Sequence, residues 1–118
     1  MKEKIILLAH GSSDPSWSNT FVNLTHPACS ENAHVSLGFM ELSTPTLEDC
    51  IADAKKEGYS KVSILPLFLA TGRHLKKDVP AMLKEYETKY SISSTLLSPI
   101  GEHPRLADAL CQIIEDSI

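Results

Sequence analysis

Apolar residues fall along this chain in short runs separated by longer amphipathic stretches. Residues 5–9 (Ile-Ile-Leu-Leu-Ala) are continuously apolar, which predicts a central strand covered on both faces. A second run, from Val35 to Glu41, alternates through Val35 and Leu37 before closing up at Phe39 and Met40. Residues 61–67 and 92–97 predict a third and a fourth strand, the third rich in β-branched and aliphatic side chains (Val62, Ile64, Leu65). Pro66 should end ladder pairing there, because it has no N–H to donate.

Between these runs the periodicity is helical. Asp14-Pro15 opens a helix over residues 16 to about 30, with Trp17, Phe21 and Leu24 at i, i+4 and i+7. Asn19, Asn23, Thr25 and His26-Pro27 weaken it, and a break is expected near Pro27. Ser43-Thr44-Pro45 opens a second helix through Leu47, Ile51 and Ala54, ended by Gly58. Asp78 is the expected N-cap of a third, running to Tyr90 with Met82, Leu83, Tyr86 and Tyr90 inward. The last runs from Pro104 to about Ile114 with Leu106, Leu110, Ile113 and Ile114 inward.

Strands alternating with helices predict the α/β class: one domain over residues 1–118, a four-stranded parallel sheet with helices on both faces, a flavodoxin-like three-layer sandwich. Right-handed crossovers favour the strand order 2-1-3-4.

Composition narrows the partners. With 118 residues, 42% hydrophobic and 22% charged, the chain has the make-up of an ordinary soluble globular protein. Its net charge of −4 argues against a general nucleic-acid or membrane-surface binder, so an acidic ligand would need a local basic cluster. Cys29, Cys50 and Cys111 are odd in number and widely spaced, which favours reduced, partly buried thiols. No run approaches the roughly 20 apolar residues of a membrane span, and the N-terminus reads as a strand rather than a signal peptide, so a cytoplasmic location is expected.

The candidate chemistry lies at one edge of the predicted sheet. Ligands of such sheets bind beyond the carboxyl ends of the strands where the order reverses, here between strands one and three. His10 follows strand one, Glu41 ends strand two, and His74 lies on the loop after strand three. Neighbouring strands stand about 4.8 Å apart, so the three side chains can converge. Two imidazoles and a carboxylate suit a borderline divalent ion (Fe²⁺, Co²⁺, Ni²⁺ or Zn²⁺) and general-base work near neutral pH. Singly, each histidine is better read as a structural hydrogen-bonder; together with Glu41 they favour function. His26, His34 and His103 are assigned surface or capping roles. Leu67-Phe68-Leu69 make an unusually apolar loop, with Arg73, Lys76 and Lys77 at its far end, although the lysines are as readily solvated charges. That combination suggests a ligand with an apolar body and an acidic rim. No G-x-S-x-G elbow, P-loop or G-x-G-x-x-G motif occurs, so neither a serine hydrolase nor a nucleotide cofactor is indicated.

Three stretches together resemble the class II tetrapyrrole chelatases, most of all the short, single-domain sirohydrochlorin chelatases of the CbiX/SirB type. They are Leu-Leu-Ala-His-Gly-Ser-Ser-Asp-Pro at 7–15, Phe-Met-Glu-Leu-Ser-Thr-Pro at 39–45 and Pro-Leu-Phe-Leu-Ala-Thr-Gly-Arg-His-Leu-Lys-Lys-Asp-Val-Pro at 66–80. The resemblance covers essentially the whole chain; residues 16–30 depart from it, being less charged than the family's first helix. It implies a chelatase-like fold and an ATP-independent lyase placing Co²⁺ (alternatively Ni²⁺ or Fe²⁺) into sirohydrochlorin or a related tetrapyrrole, for cobalamin, sirohaem or F430 synthesis. The metal is then a substrate. His10 and His74 would serve metal insertion, joined by Glu41. On this reading Leu67, Phe68 and Leu69 contact the ring face while Arg73, Lys76 and Lys77 meet its carboxylates. It also implies a homodimer, and a domain this small could only half-enclose a macrocycle. A second reading is a non-catalytic metal or tetrapyrrole carrier, or a half-chelatase with a different partner subunit. A third, a flavodoxin-like domain binding a phosphorylated small molecule, has little support without a glycine-rich phosphate loop.

Overall fold

The computed structural model describes residues 3–118, with the side chain of His74 excepted. Strands β1 (Lys4–Ala9), β2 (Val35–Phe39), β3 (Lys61–Pro66) and β4 (Ser93–Leu96) form one parallel sheet in the order β2-β1-β3-β4. Helices α1 (Pro15–Glu31), α2 (Leu47–Lys56), α3 (Val79–Tyr90) and α4 (Pro104–Ser117) follow them in turn. β1 is central because it is apolar from Ile5 to Ala9: Leu7 stands beside Leu37 on one side and Leu65 on the other.

The main core lies between the sheet and the α2–α3 layer. Ile6, Leu8, Val62 and Ile64 meet Leu47, Ile51, Val79 and Leu83, all buried. Complete burial of an aliphatic side chain of this size contributes about 1.5–3 kcal/mol, which makes this layer the principal apolar support of the fold. Packing is close where β2 meets α2. A Cβ at Gly38 would come within 2.9 Å of Cys50 Sγ, and burial pushes the Cys50 thiol up to about 12. α2 starts at a capping box: the Thr46 hydroxyl accepts from the Asp49 N–H and the Asp49 carboxylate accepts from the Thr46 N–H.

Several sequence expectations need correction. α1 does not break at Pro27, which sits inside a continuous helix. Its inward stripe runs through Trp17, Phe21 and the buried Thr25, whose hydroxyl donates to the Phe21 carbonyl; Leu24 is exposed. Asp78 does take the position before α3, but it does not act as an N-cap. It already has helical angles (φ −73, ψ −45) and makes no capping bond, because a π turn over His74–Asp78 precedes α3. Pro80 explains the wide turn, since it cannot donate to a carbonyl one α-turn back. β2 stops at Phe39, so Glu41 lies beyond the strand rather than on its last position.

α4 is the largest departure. Leu110, Ile113 and Ile114, expected to face inward, are 56%, 59% and 60% exposed; Leu106 alone of the four is partly covered. The helix rests on its own chain chiefly through the 3₁₀ turn Ile100–Glu102 that precedes it. Cys111, on this helix, is exposed rather than partly buried.

The edge that carries the candidate site is fixed by one close approach. After β2 the backbone still follows β1, with the Met40 N–H donating to the Ala9 carbonyl (2.9 Å) and the Glu41 N–H to the His10 carbonyl (3.2 Å). Gly11 then passes the Glu41 carbonyl with φ +97, where a Cβ would lie 1.7 Å from that oxygen. Gly11→Ala should therefore cost about 1–3 kcal/mol and separate the two loops, read as a lower denaturant midpoint with an unchanged m-value. Thr46→Ala should cost about 1 kcal/mol in the same assay, through the lost cap.

Candidate functional site at the carboxyl edge of the sheet

His10 is the first residue past β1, and its exposed imidazole lies flat on Phe68 with ring centroids 4.0 Å apart and planes 13° apart. Phe68 is itself buried, so the imidazole rests on a fixed apolar floor, and a stack of this kind contributes about 0.5–1.5 kcal/mol. The floor is held by its neighbours. The Leu67 N–H donates to the Leu8 carbonyl, carrying the β1–β3 pairing one residue past Pro66, and the Gly101 N–H donates to the Phe68 carbonyl. Gly101 must be glycine at this contact, because a Cβ would fall 1.6 Å from the Leu69 carbonyl oxygen.

Glu41 is exposed on the other flank of His10, with its backbone bonded to that of His10. A hydroxyl cluster pins the two loops. Ser43 Oγ donates to the Ser12 carbonyl (2.8 Å), accepts from the Ser12 N–H (3.2 Å) and lies 2.8 Å from Ser18 Oγ at the start of α1. Sequence analysis reads Ser43 only as part of the opening of the second helix and gives Ser12 no structural role. Serines have no periodic signature, and this pairing joins loops distant in sequence.

The backbone of His74 begins the π turn; its side chain lies outside the described residues, and with it the three-residue metal constellation His10, Glu41 and His74. Among the described residues no group of three His, Cys, Asp or Glu side chains is placed to hold a metal ion. Glu41 and the His10 ring are brought to the same edge by adjacent strands.

The loop after β3 divides its labour. Leu69 is 75% exposed, Leu67 is partly covered, and Phe68 is committed beneath His10. Beyond them, Thr71, Gly72, Arg73, Lys76 and Lys77 line an open pocket of about 320 Å³. Thr71 donates to the Glu102 carboxylate, and the Gly72 carbonyl accepts from the Lys76 N–H, which folds the three cations onto one rim. Three cations on one rim give the acidic chain a local site for an anionic group. Of the other histidines, His103 caps α4 by accepting from the Arg105 N–H, while His26 is exposed and His34 half-buried.

Comparisons with known proteins agree with this architecture. The sirohydrochlorin cobaltochelatase of Saccharolobus solfataricus is 26% identical over 120 residues, covering 96% of this chain and 94% of that protein. Its counterpart in Sulfolobus acidocaldarius is 28% identical over 114 residues, covering 97% and 91%. Among solved structures, the CbiX protein of Marinobacter aquaeolei VT8 superimposes with a TM-score of 0.93 at 40% identity, covering 98% of this chain and 97% of that one. The sirohydrochlorin chelatase SirB of Bacillus subtilis subspecies spizizenii, in complex with cobalt, gives a TM-score of 0.84 at 26% identity. The match covers 98% of this chain but 51% of SirB. The CbiX family model matches residues 4–117, nearly the whole chain: this protein belongs to the CbiX family.

Proposed function

We propose that the protein is a sirohydrochlorin chelatase, a lyase that inserts a divalent metal, Co²⁺ in preference to Ni²⁺ or Fe²⁺, into the tetrapyrrole without a nucleotide cofactor. The observation that carries this reading is the pairing of two features at one sheet edge. One is an exposed imidazole held flat on a buried aromatic floor; the other is a rim of three cations beyond an exposed leucine. A flat apolar macrocycle with carboxylates round its edge matches both. The names of the archaeal relatives favour cobalt and sirohydrochlorin.

Insertion must strip water from the ion and remove two pyrrole protons. An imidazole ordinarily titrates near neutrality, so His10 and His74 are residues of the type that can hold the ion or accept a proton. Glu41 supplies an auxiliary oxygen ligand or takes the proton onward. The Phe68 floor limits the tilt of the His10 ring. Leu67 and Leu69 meet the macrocycle face, and Arg73, Lys76 and Lys77 pair with its carboxylates, Arg73 with bidentate geometry available. Two copies of the chain form the working enzyme, consistent with a SirB chain about twice the matched length.

Anaerobic absorbance spectroscopy of sirohydrochlorin with catalytic amounts of protein and Co²⁺ tests the proposal. Multiple-turnover insertion above the spontaneous rate is expected, falling by about 10²-fold or more in both His10→Ala and His74→Ala. Full activity in His74→Ala would remove that residue from the mechanism, and binding without turnover would favour the carrier reading. Arg73→Ala and Lys76→Ala should instead raise KM by about tenfold with a smaller change in kcat, because carboxylates remote from the ring nitrogens change little between ground and transition states.

A further inference from the structure

Leu42 combines a backbone conformation and a surface position that are both unfavourable to a leucine. Its φ of +63 lies in the left-handed region, and its side chain is 69% exposed. Among the described residues four take positive φ: Gly11, Gly58, Ser91 and Leu42. Two are glycines, which have no Cβ to clash, and Ser91 ends α3 as its left-handed C-cap. Leu42 ends no helix, and a bulky side chain is disfavoured there because its Cβ crowds the following carbonyl.

The conformation is held from both sides. The chain leaves β2 at Phe39 and soon returns to it, the Phe39 N–H donating to the Pro45 carbonyl (2.9 Å) and Phe39 pairing with Thr46. Within that short loop the Glu41 N–H donates to the His10 carbonyl, and Ser43 Oγ bonds both backbone groups of Ser12. Leu42 is the one residue between these two anchors, so its φ cannot relax without giving up one of them. Strain of this kind persists where surrounding contacts over-determine it, and it clusters at sites that use it. Glycine at position 42 would remove the strain; leucine keeps it and adds apolar surface in water. A single exposed leucine is ordinary on a protein surface. A strained one next to Glu41, at the edge that carries His10, is not.

Resting on the chelatase reading above, we infer that Leu42 is a substrate-binding residue that meets the apolar face of the macrocycle from the β2 side of His10. Leu69, 75% exposed on the loop after β3, meets it from the other side. The strand order sets the loops after β2, β1 and β3 side by side. His10 therefore stands between two loops that each carry an exposed leucine, about 10 Å apart at two strand spacings. Both leucines lose apolar surface to water until a flat apolar ligand covers them. The loop that supplies Glu41 then also grips the ring, and the bonds of Glu41 and Ser43 hold Leu42 in place before the ligand arrives.

Anaerobic absorbance titration with metal-free sirohydrochlorin tests this, with thermal unfolding and sedimentation run beside it. Leu42→Gly should weaken binding about tenfold, through loss of an apolar side chain that the ring covers. The same variant should unfold about 3 °C higher than the wild type, because glycine relieves the left-handed strain. A side chain with a merely structural role would lower stability and binding together. Leu42→Met, which keeps the apolar volume, should bind within about twofold of the wild type. In the insertion assay Leu42→Gly should raise KM about tenfold with a smaller change in kcat, and its affinity for Co²⁺ alone should match the wild type. Unchanged sirohydrochlorin binding in Leu42→Gly, beside a wild type that binds and turns over, would overturn the proposal and leave the chelatase reading standing. Weakened binding accompanied by a lower thermal midpoint, a lost affinity for Co²⁺ or altered sedimentation would overturn it too. A wild type that neither binds nor turns over sirohydrochlorin would overturn both.

Discussion

Two backbone segments run against each other at residues 9–11 and 40–41 with no room for a side chain between them, and the candidate site depends on that contact. Parallel pairing of β1 with β2 brings the segments together, and hydrogen bonds from Met40 and Glu41 extend the pairing past the end of β2. The positive φ of Gly11 lets the chain slip under the Glu41 carbonyl and turn into α1. Any larger residue would push His10 and Glu41 apart. The Ser43 hydroxyl, bonded to both backbone groups of Ser12, then fixes the spacing that the glycine permits. On its other flank His10 is limited by Phe68, so the imidazole is located by sheet geometry on one side and by a ring stack on the other.

The strand order and the α2–α3 core were legible in the sequence because continuous apolar runs separated by amphipathic segments admit few arrangements. The strand-edge rule likewise put His10 and Glu41 at one edge of the sheet, which is where the structure has them. Elsewhere the pattern was silent or misleading for identifiable reasons. Helical periodicity reports that Leu110, Ile113 and Ile114 share a face; it does not report which surface covers that face, and on α4 its own chain does not. Asp78 carried an N-cap signature, but Pro80 forces a wide turn upstream and the helical path begins earlier. Phe68 looked like a side chain for a ligand because its loop is apolar. Its burial beneath His10 depends on long-range contacts from Gly101 and Leu8 that no local window contains.

Charge is distributed with the same economy. The chain carries 15 acidic and 11 basic side chains, yet Arg73, Lys76 and Lys77 gather at one pocket, where a π turn and the Thr71–Glu102 bond hold the loop. Elsewhere cations serve architecture. Lys4, almost completely buried, donates to the Ala33 carbonyl and the Glu57 carboxylate, tying the start of β1 to the ends of α1 and α2. Lys89 and Tyr90 both donate to Glu48 across the α2–α3 contact, which holds that carboxyl below its ordinary pKa.

The tight seat of Gly38 against Cys50 bears on how this sequence is free to drift. A methyl group at position 38 would meet the Cys50 sulfur at 2.9 Å, with the Thr46 carbonyl and an Ile6 methyl close behind. The backbone carbonyl belongs to the residue that caps α2 and has little freedom to retreat, so the sulfur is the neighbour that must yield. The two positions are therefore coupled: a side chain at position 38 requires the Cys50 sulfur to swing aside or a smaller residue to take its place.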